Sequence, residues 1–168
     1  HLHADWHLVE DYPLSRELLA MSRVWQSPDH QHLLVAAKGA PEAIVDLCHL
    51  GAERRDAIAR QVEALAGEGL RVLAVARAVF GSRQLPEIQH DFDFEFVGLI
   101  ALEDPVRPDV PAAIAECRAA GIRVVMITGD HPQTAMSIAR QAGLVVDGRF
   151  LSGPEIDGLD HAALASRL

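Results

Sequence analysis

Hydrophobic positions in this chain fall into short blocks whose period switches from two residues to about 3.6 and back. Leu18-Leu19-Ala20-Met21-Ser22-Arg23-Val24-Trp25 and Leu33-Leu34-Val35-Ala36-Ala37 flank the turn-rich Ser27-Pro28-Asp29-His30, which predicts two neighbouring antiparallel strands. The second block ends at Lys38. Gly39-Ala40-Pro41-Glu42 then breaks it, and Pro41 with Glu42 suits the first turn of a helix carrying Ala43, Ile44, Leu47 and Cys48. Ile58, Val62, Leu65 and Ala66 recur at helical spacing between Glu53 and Ala66, with Gly67 and Gly69 closing a helix expected to cover a sheet. Leu70 to Val79 reads as a strand. Val72, Ala74 and Ala76 share one face and Leu73 and Val75 the other, so burial is expected on both.

From Gly81 to Asp91 periodic apolar positions vanish, and this stretch reads as a connection between two units. The second unit alternates: a strand from Glu95 to Leu102, a helix from about Asp109 to Ala120, a buried strand from Ile122 to Thr128 and a helix from about His131 to Ala142. Gly121 and Gly143 follow the two helices. Such alternation predicts parallel pairing of the two strands, with ligands bound beyond their carboxyl ends. Glu103-Asp104 and Thr128-Gly129-Asp130 occupy those ends, while Val110, Ile114 and Cys117 are expected to face a core. After Gly143 come Val145-Val146, a turn at Asp147-Gly148, Phe150-Leu151 and a possible final helix from Asp160.

Candidate chemistry concentrates where strands hand over to helices. Arg123 to Ala135 would deliver Thr128, Gly129 and Asp130 to a helix start, where free amides and the positive end of the macrodipole make an anion seat. The bland alternative is that Asp130, with Gln133 three residues on, is an N-cap resembling a capping box, with Pro132 in the first turn. Lys38 is either a cation for a phosphate or ring nitrogen or a solvated lysine at a strand end. Arg71, at the entry of its strand, is either a ligand contact or an edge charge. Asp91-Phe92-Asp93 has the spacing of a phosphatase nucleophile loop but lacks the buried strand that must precede it.

Composition narrows the classes. The 168 residues are 49% hydrophobic and 23% charged, with 15 basic and 24 acidic side chains and a net charge of −9, which argues against a nonspecific nucleic-acid binder. Cys48 and Cys117 stand alone, so neither a disulfide framework nor a cysteine-rich zinc site is indicated. No run approaches the length of a membrane helix and no signal-peptide pattern opens the chain, so direct membrane contact is not expected. His1, His3 and His7 lack companion carboxylates and read as exposed histidines or an expression remnant rather than a metal site.

Taken in order, Lys38-Gly39-Ala40-Pro41-Glu42, Gly69-Leu70-Arg71-Val72-Leu73, Glu103-Asp104-Pro105-Val106-Arg107 and Met126-Ile127-Thr128-Gly129-Asp130 resemble the cytosolic headpiece of P-type cation-transporting ATPases. Tyr12 to Val24 adds a looser match to the family's nucleotide domain. The resemblance implies an α/β chain in two parts. Residues 1–81 would be a partial α+β nucleotide-binding domain with an antiparallel sheet, 82–91 a connection, and 92–168 a partial phosphorylation domain of haloacid-dehalogenase-like Rossmann fold with parallel strands. It implies ATP as ligand, with Lys38 and Gly39 lining the adenine pocket, Arg71 on the phosphates and Asp104 and Arg107 near the domain junction. Thr128, Gly129 and Asp130 would wall the phosphoryl site, and Mg²⁺ would belong to the complete parent site.

The departures carry information too. The family's adenine-stacking aromatic falls at Leu14 and a basic residue at Leu19. The Asp-Lys-Thr-Gly-Thr phosphorylation motif and the later Thr-Gly-Asp-Gly-x-Asn-Asp motif are absent. The resemblance therefore implies a soluble piece of a larger integral membrane pump, on the cytoplasmic side, whose nucleophile and remaining parts lie elsewhere in the parent. Two alternatives stay open: a stand-alone nucleotide-binding or regulatory module, and a soluble phosphatase of the same fold. Incomplete sheets also predict pairing of copies through exposed edges.

Overall fold

The computed structural model describes residues 5–81, 84–146 and 150–167. His1, His3 and the Asp147-Gly148 turn lie outside them. The chain divides into two compact units, one ending at Glu103 and the other beginning at Asp104. The first is a five-stranded sheet in sequence order: β1 (His7–Tyr12), β2 (Ala20–Gln26), β3 (Leu33–Gly39), β4 (Arg71–Phe80) and β5 (Glu95–Leu102). Every neighbouring pair is antiparallel. Between β3 and β4 the chain makes two helices, α1 (Pro41–Leu47) and α2 (Ala52–Gly67).

The β2–β3 turn follows its residue types. The Ser27 hydroxyl donates to the Asp29 carboxylate and the Gln31 amide donates to it at 3.1 Å, so Asp29 ionises more readily than usual. His30 takes the left-handed conformation at φ 56°. Pro41 opens α1 as expected. Gly69, at φ 88°, ends α2 because the Leu70 and Gly69 amides reach back to the Leu65 and Ala66 carbonyls, a closure that needs a left-handed residue. The chain is thereby aimed straight into Arg71.

Alternation along the strands sends Ala20, Val24, Val35, Ala37, Ala74, Ala76 and Ala78 to one buried face. Its alanines let α1 lie close, with Ile44 and Leu47 wholly buried. Val45 of α1 meets Ile58 and Val62 of α2 beside Val72, Phe96 and Leu99. The opposite face of β4 is not covered: Val75 is half-buried, while Arg77 and Val79 are exposed. The expectation of burial on both faces was therefore wrong for β4, since an antiparallel sheet needs helices on one side only.

Residues 84–94 are no mere connection. They form a strap across the buried face, with a short 3₁₀ turn at Gln89–Asp91. Phe92, 1% exposed, sits edge-on to Tyr12, Phe80 and Phe94 at centroid distances of 5.6, 5.2 and 5.8 Å. The Tyr12 hydroxyl donates to the Pro86 carbonyl at 2.6 Å, Ser22 donates to Gln89 Oε1 at 2.6 Å, and Gln89 Nε2 reaches the Ala20 carbonyl at 3.4 Å. A strap of mostly polar side chains hides its function from periodicity because two aromatics and one amide do most of the packing.

β5 has the expected limits but a different partner. It pairs antiparallel with β4, from Arg71↔Leu102 to Arg77↔Glu95, with a bulge opposite Val75/Ala76. Ile122 to Thr128 forms no strand, and Ile127 is 93% exposed. The expected parallel pair and the buried strand are thus both absent among the described residues, where β5 pairs with β4 alone and 122–128 joins no ladder.

The second unit carries α3 (Val110–Ala119), α4 (Pro132–Gln141), α5 (Gly153–Asp157) and α6 (His161–Arg167). Gly121 and Gly143 close α3 and α4 as Gly69 closes α2. Arg118 donates to the Gly143 carbonyl at 2.7 Å, tying the end of α3 to the end of α4. Val110, Ile114 and Cys117 lie on the least exposed side of α3, but none is fully buried.

Replacing Phe92 by alanine should cost about 3–5 kcal/mol, read as a lowered urea midpoint with an unchanged slope. Burial pushes the Cys48 thiol from 9.0 up to about 11. A raised folded pKa contributes stability below the unfolded pKa and loses it as pH climbs through the folded one. Thermal midpoints should therefore fall between pH 9 and 11, and Cys48→Ala should flatten part of that fall. Tyr12, also raised by burial, accounts for a remainder at the upper end.

Candidate functional site

The uncovered face of the first unit is built in rows, because residues paired across an antiparallel ladder point to the same side. One row runs Met21–Lys38–Val75–Gly98 across β2, β3, β4 and β5. A second, one turn of the pleat away, runs Asp11–Arg23–Ala36–Arg77–Glu95 across all five strands. In the other direction lie Leu73 opposite Ile100, then Arg71 opposite Leu102. Lys38 and Arg71 therefore share the open face. They stand about 13 Å apart along the strands and about 5 Å apart across them. Both are exposed, and the half-buried Met21, Leu73 and Val75 lie among them.

Gly39 is held by close approach. A Cβ there would collide with the Leu19 carbonyl oxygen and stand 2.6 Å from the Ala20 Cα, while the Ala40 amide donates to that Leu19 oxygen at 2.8 Å. The glycine thus clamps the end of β3 to the start of β2, and it fixes where the neighbouring Lys38 emerges. Leu14 and Leu19 are 61% and 47% exposed in the segment leading to β2. Beside it, Arg16, Glu17, Leu18 and Leu19 form a shallow hollow with Glu42 and Asp46 of α1.

The remaining expected site residues belong to the second unit. Asp104 and Arg107 are exposed in the segment before α3, and Arg107 Nε lies 4.0 Å from Asp109 Oδ1. Thr128, Gly129 and Asp130 directly precede α4. The Asp130 amide donates to Thr128 Oγ1 at 3.0 Å, and that hydroxyl donates to Asp130 Oδ2 at 3.1 Å. The N-cap of α4 is His131, whose Nδ1 accepts from the Gln133 amide at 3.3 Å. Asp130 is thus not the cap: it lies one residue before His131, and its carboxylate is engaged by Thr128. The structure brings Lys38, Gly39 and Arg71 together on one sheet, and Thr128, Gly129 and Asp130 into one tight turn.

Asp91-Phe92-Asp93 belongs to the strap, with Phe92 in the core and both acids exposed, which agrees with setting it aside. Sequence reading did not assemble the row of Asp11, Arg23, Ala36, Arg77 and Glu95. Their signal was available in the period-two alternation of Met21-Arg23-Trp25 and Leu34-Ala36-Lys38, but only a known register aligns those alternations into rows. Among the described residues no three His, Cys, Asp or Glu side chains gather as a metal site. No helix among them is long and apolar enough to cross a membrane.

The fold and this face define a class: an α+β domain on an antiparallel meander, helices on one side and an apolar, basic surface on the other. Residues 1–109 match the family model described as P-type ATPase, cytoplasmic domain N. The chain is 40% identical over 147 aligned positions to the sodium/potassium exporting P-type ATPase cta3 of Schizosaccharomyces pombe, covering 82% of this chain and 14% of that protein. It is 35% identical over 175 aligned positions to the probable cation-transporting ATPase I of Mycobacterium leprae, covering 98% of this chain and 11% of that protein. The chain belongs to the P-type ATPase family, and it spans a small part of the length of these relatives.

Proposed function

We propose that this chain is a cytosolic portion of an ATP-driven cation pump, and that the open face of its first unit binds ATP. The observation that carries this reading is the placement of Lys38 and Arg71 on one face, a nucleotide's length apart, with Met21, Leu73 and Val75 between them. Lys38 offers donors to the base, Arg71 offers a planar fork to phosphate, and the apolar side chains accept the base and sugar. Gly39 serves by setting the position of Lys38.

Of residues 92–168, which the resemblance assigns to the phosphorylation domain, those from Asp104 onward are kept in that reading, of haloacid-dehalogenase-like fold, because β5 completes the sheet of the first unit. Support comes from the tight Thr128-Gly129-Asp130 turn at the entry of α4 and from the family motifs. Under this reading Ile122 to Thr128 pairs in the parent with strands this unit does not supply, and Thr128, Gly129 and Asp130 frame the transferred phosphoryl group. Asp104 and Arg107 lie at the junction between the parts. Three-ligand metal clusters do not form among the described residues, so Mg²⁺ is assigned to the complete parent site and no step is derived through it. The isolated chain, lacking the phosphorylated aspartate, binds but does not turn over.

Copies of the isolated chain pair through β5, whose outer edge pairs with no strand among the described residues and whose Val97, Ile100 and Leu102 are exposed. The opposite edge, β1, is blunted by a bulge between Leu8 and Glu10 and by Glu10 and Asp11.

Titration of the chain with ATP should saturate, and Lys38→Ala should weaken it about tenfold, equivalent to ~1.4 kcal/mol. Unchanged binding in that variant would remove Lys38 from the site. Sedimentation should show an average mass that rises with concentration, and a strictly monomeric profile would count against edge pairing.

A further inference from the structure

The strap takes over where β1 stops. Pairing of β1 with β2 ends at Tyr12↔Ser22, and the Tyr12 hydroxyl hands on to the strap by donating to the Pro86 carbonyl. On its other side β2 continues through Met21↔Lys38 to Ala20↔Gly39, and beyond that pair the Ala40 amide donates to the Leu19 carbonyl at 2.8 Å. Bonded and unbonded pairs alternate along an antiparallel ladder. With Leu19 and Ala40 bonded to each other, the Ala20 carbonyl therefore turns away from β3, toward the side that β1 has left. Gln89 Nε2 fills that place, donating to the Ala20 oxygen at 3.4 Å, while Gln89 Oε1 accepts from the Ser22 hydroxyl at 2.6 Å. One amide thus grips β2 on either side of Met21, the residue paired with Lys38. Ala20 is also what Gly39 rests against, since a Cβ on Gly39 would stand 2.6 Å from the Ala20 Cα and 2.8 Å from its Cβ.

We propose that Gln89 is a positioning residue for Lys38, holding the entry of β2 against β3 from the helix side of the sheet so that the lysine leaves its strand in a fixed direction on the open side. The inference rests on the reading of the open face as a nucleotide site, and it adds a residue outside that face on which affinity depends. Gln89 and Ser22 are both buried, so neither meets a ligand, and their influence passes through the backbone of β2 and the Ala20↔Gly39 contact. Two features argue for positioning over mere packing. Phe92 already binds the strap to the core through its aromatic contacts. The amide is spent instead on the first residue of β2, beyond the last β1 pair, where a ladder opens most readily.

The test is a double-mutant cycle on ATP affinity in the full chain, using Gln89→Met, which keeps an unbranched side chain and removes the donor, Lys38→Ala, and the two combined. A residue that acts only through Lys38 cannot cost more than the loss of Lys38 itself. Gln89→Met should therefore weaken ATP by about threefold, measured well below its unfolding midpoint, and should add nothing in the Lys38→Ala background. Unchanged affinity in Gln89→Met overturns the proposal, and so do losses that multiply in the combined variant, which would make Gln89 a prop of the whole face. A measurement on wild type decides the matter even where Gln89→Met does not fold. Coupling is reciprocal, so saturation with ATP should shift the Gln89 side-chain amide signal across the sheet from the ligand, and an unmoved signal overturns the coupling. Wild-type chain that binds no ATP overturns the nucleotide reading itself, whereas unchanged affinity in Gln89→Met beside a wild type that binds removes the positioning role alone.

Discussion

The arrangement of the first unit follows from one-sided burial. The chain leaves β3, forms α1 and α2, and returns as β4 beside the strand it left, so both helices must lie on the same side of the sheet. Alternation does the rest. Ala74, Ala76 and Ala78 turn toward Ile44 and Leu47, while Leu73, Val75 and Arg77 turn outward. Alanines matter because a helix carrying Ile and Leu reaches packing distance only over a shallow floor. The strap closes the remaining part of that side with Phe92. Everything that can meet a ligand on this sheet is what the helices leave uncovered.

Seen this way, the charged row on the open side has little to do with holding the domain together. Arg77 and Glu95 are 60% and 68% exposed, Arg23 and Asp11 48% and 41%. Ion pairs so wetted contribute about 0–1 kcal/mol at most. What they do fix is direction, since a long arginine side chain that would otherwise sample many rotamers is drawn to the outer strand. Gly39 acts similarly through backbone contact: its bare Cα lets β3 lie against Leu19 and Ala20, and the exit of Lys38 is set by that contact rather than by its own side chain.

How much of this was legible beforehand depended on the range of the information. Local signals held: Pro41 opens α1, Gly69, Gly121 and Gly143 end helices, and the face assignment of Val72, Ala74 and Ala76 against Leu73 and Val75 is right. Pairing is not local. The segment Glu95 to Leu102 was recognisable as a strand, but whether it joins the sheet before it or one after it depends on partners far along the chain. The strap was illegible for a different reason, because irregular backbone has no period to detect and its role rests on single side chains. At the entry of α4, Asp130 and His131 both suit a cap, and the Thr128 hydroxyl decides between them by engaging the carboxylate first.

The buried hydrogen bond between Ser22 and Gln89 acts as a key for the strap's alignment. Both side chains are sealed from water, at 0% and 7% exposure, and the Ser22 hydroxyl would be left desolvated if Gln89 moved. Slippage by one residue would bring Ile88 or His90 opposite the hydroxyl, and stranding the serine would cost about 1–3 kcal/mol before any aromatic contact was lost. Greasy surfaces tolerate sliding, whereas a donor facing an acceptor does not. Phe92 supplies the adhesion of this segment, and a single amide tells it where to stop.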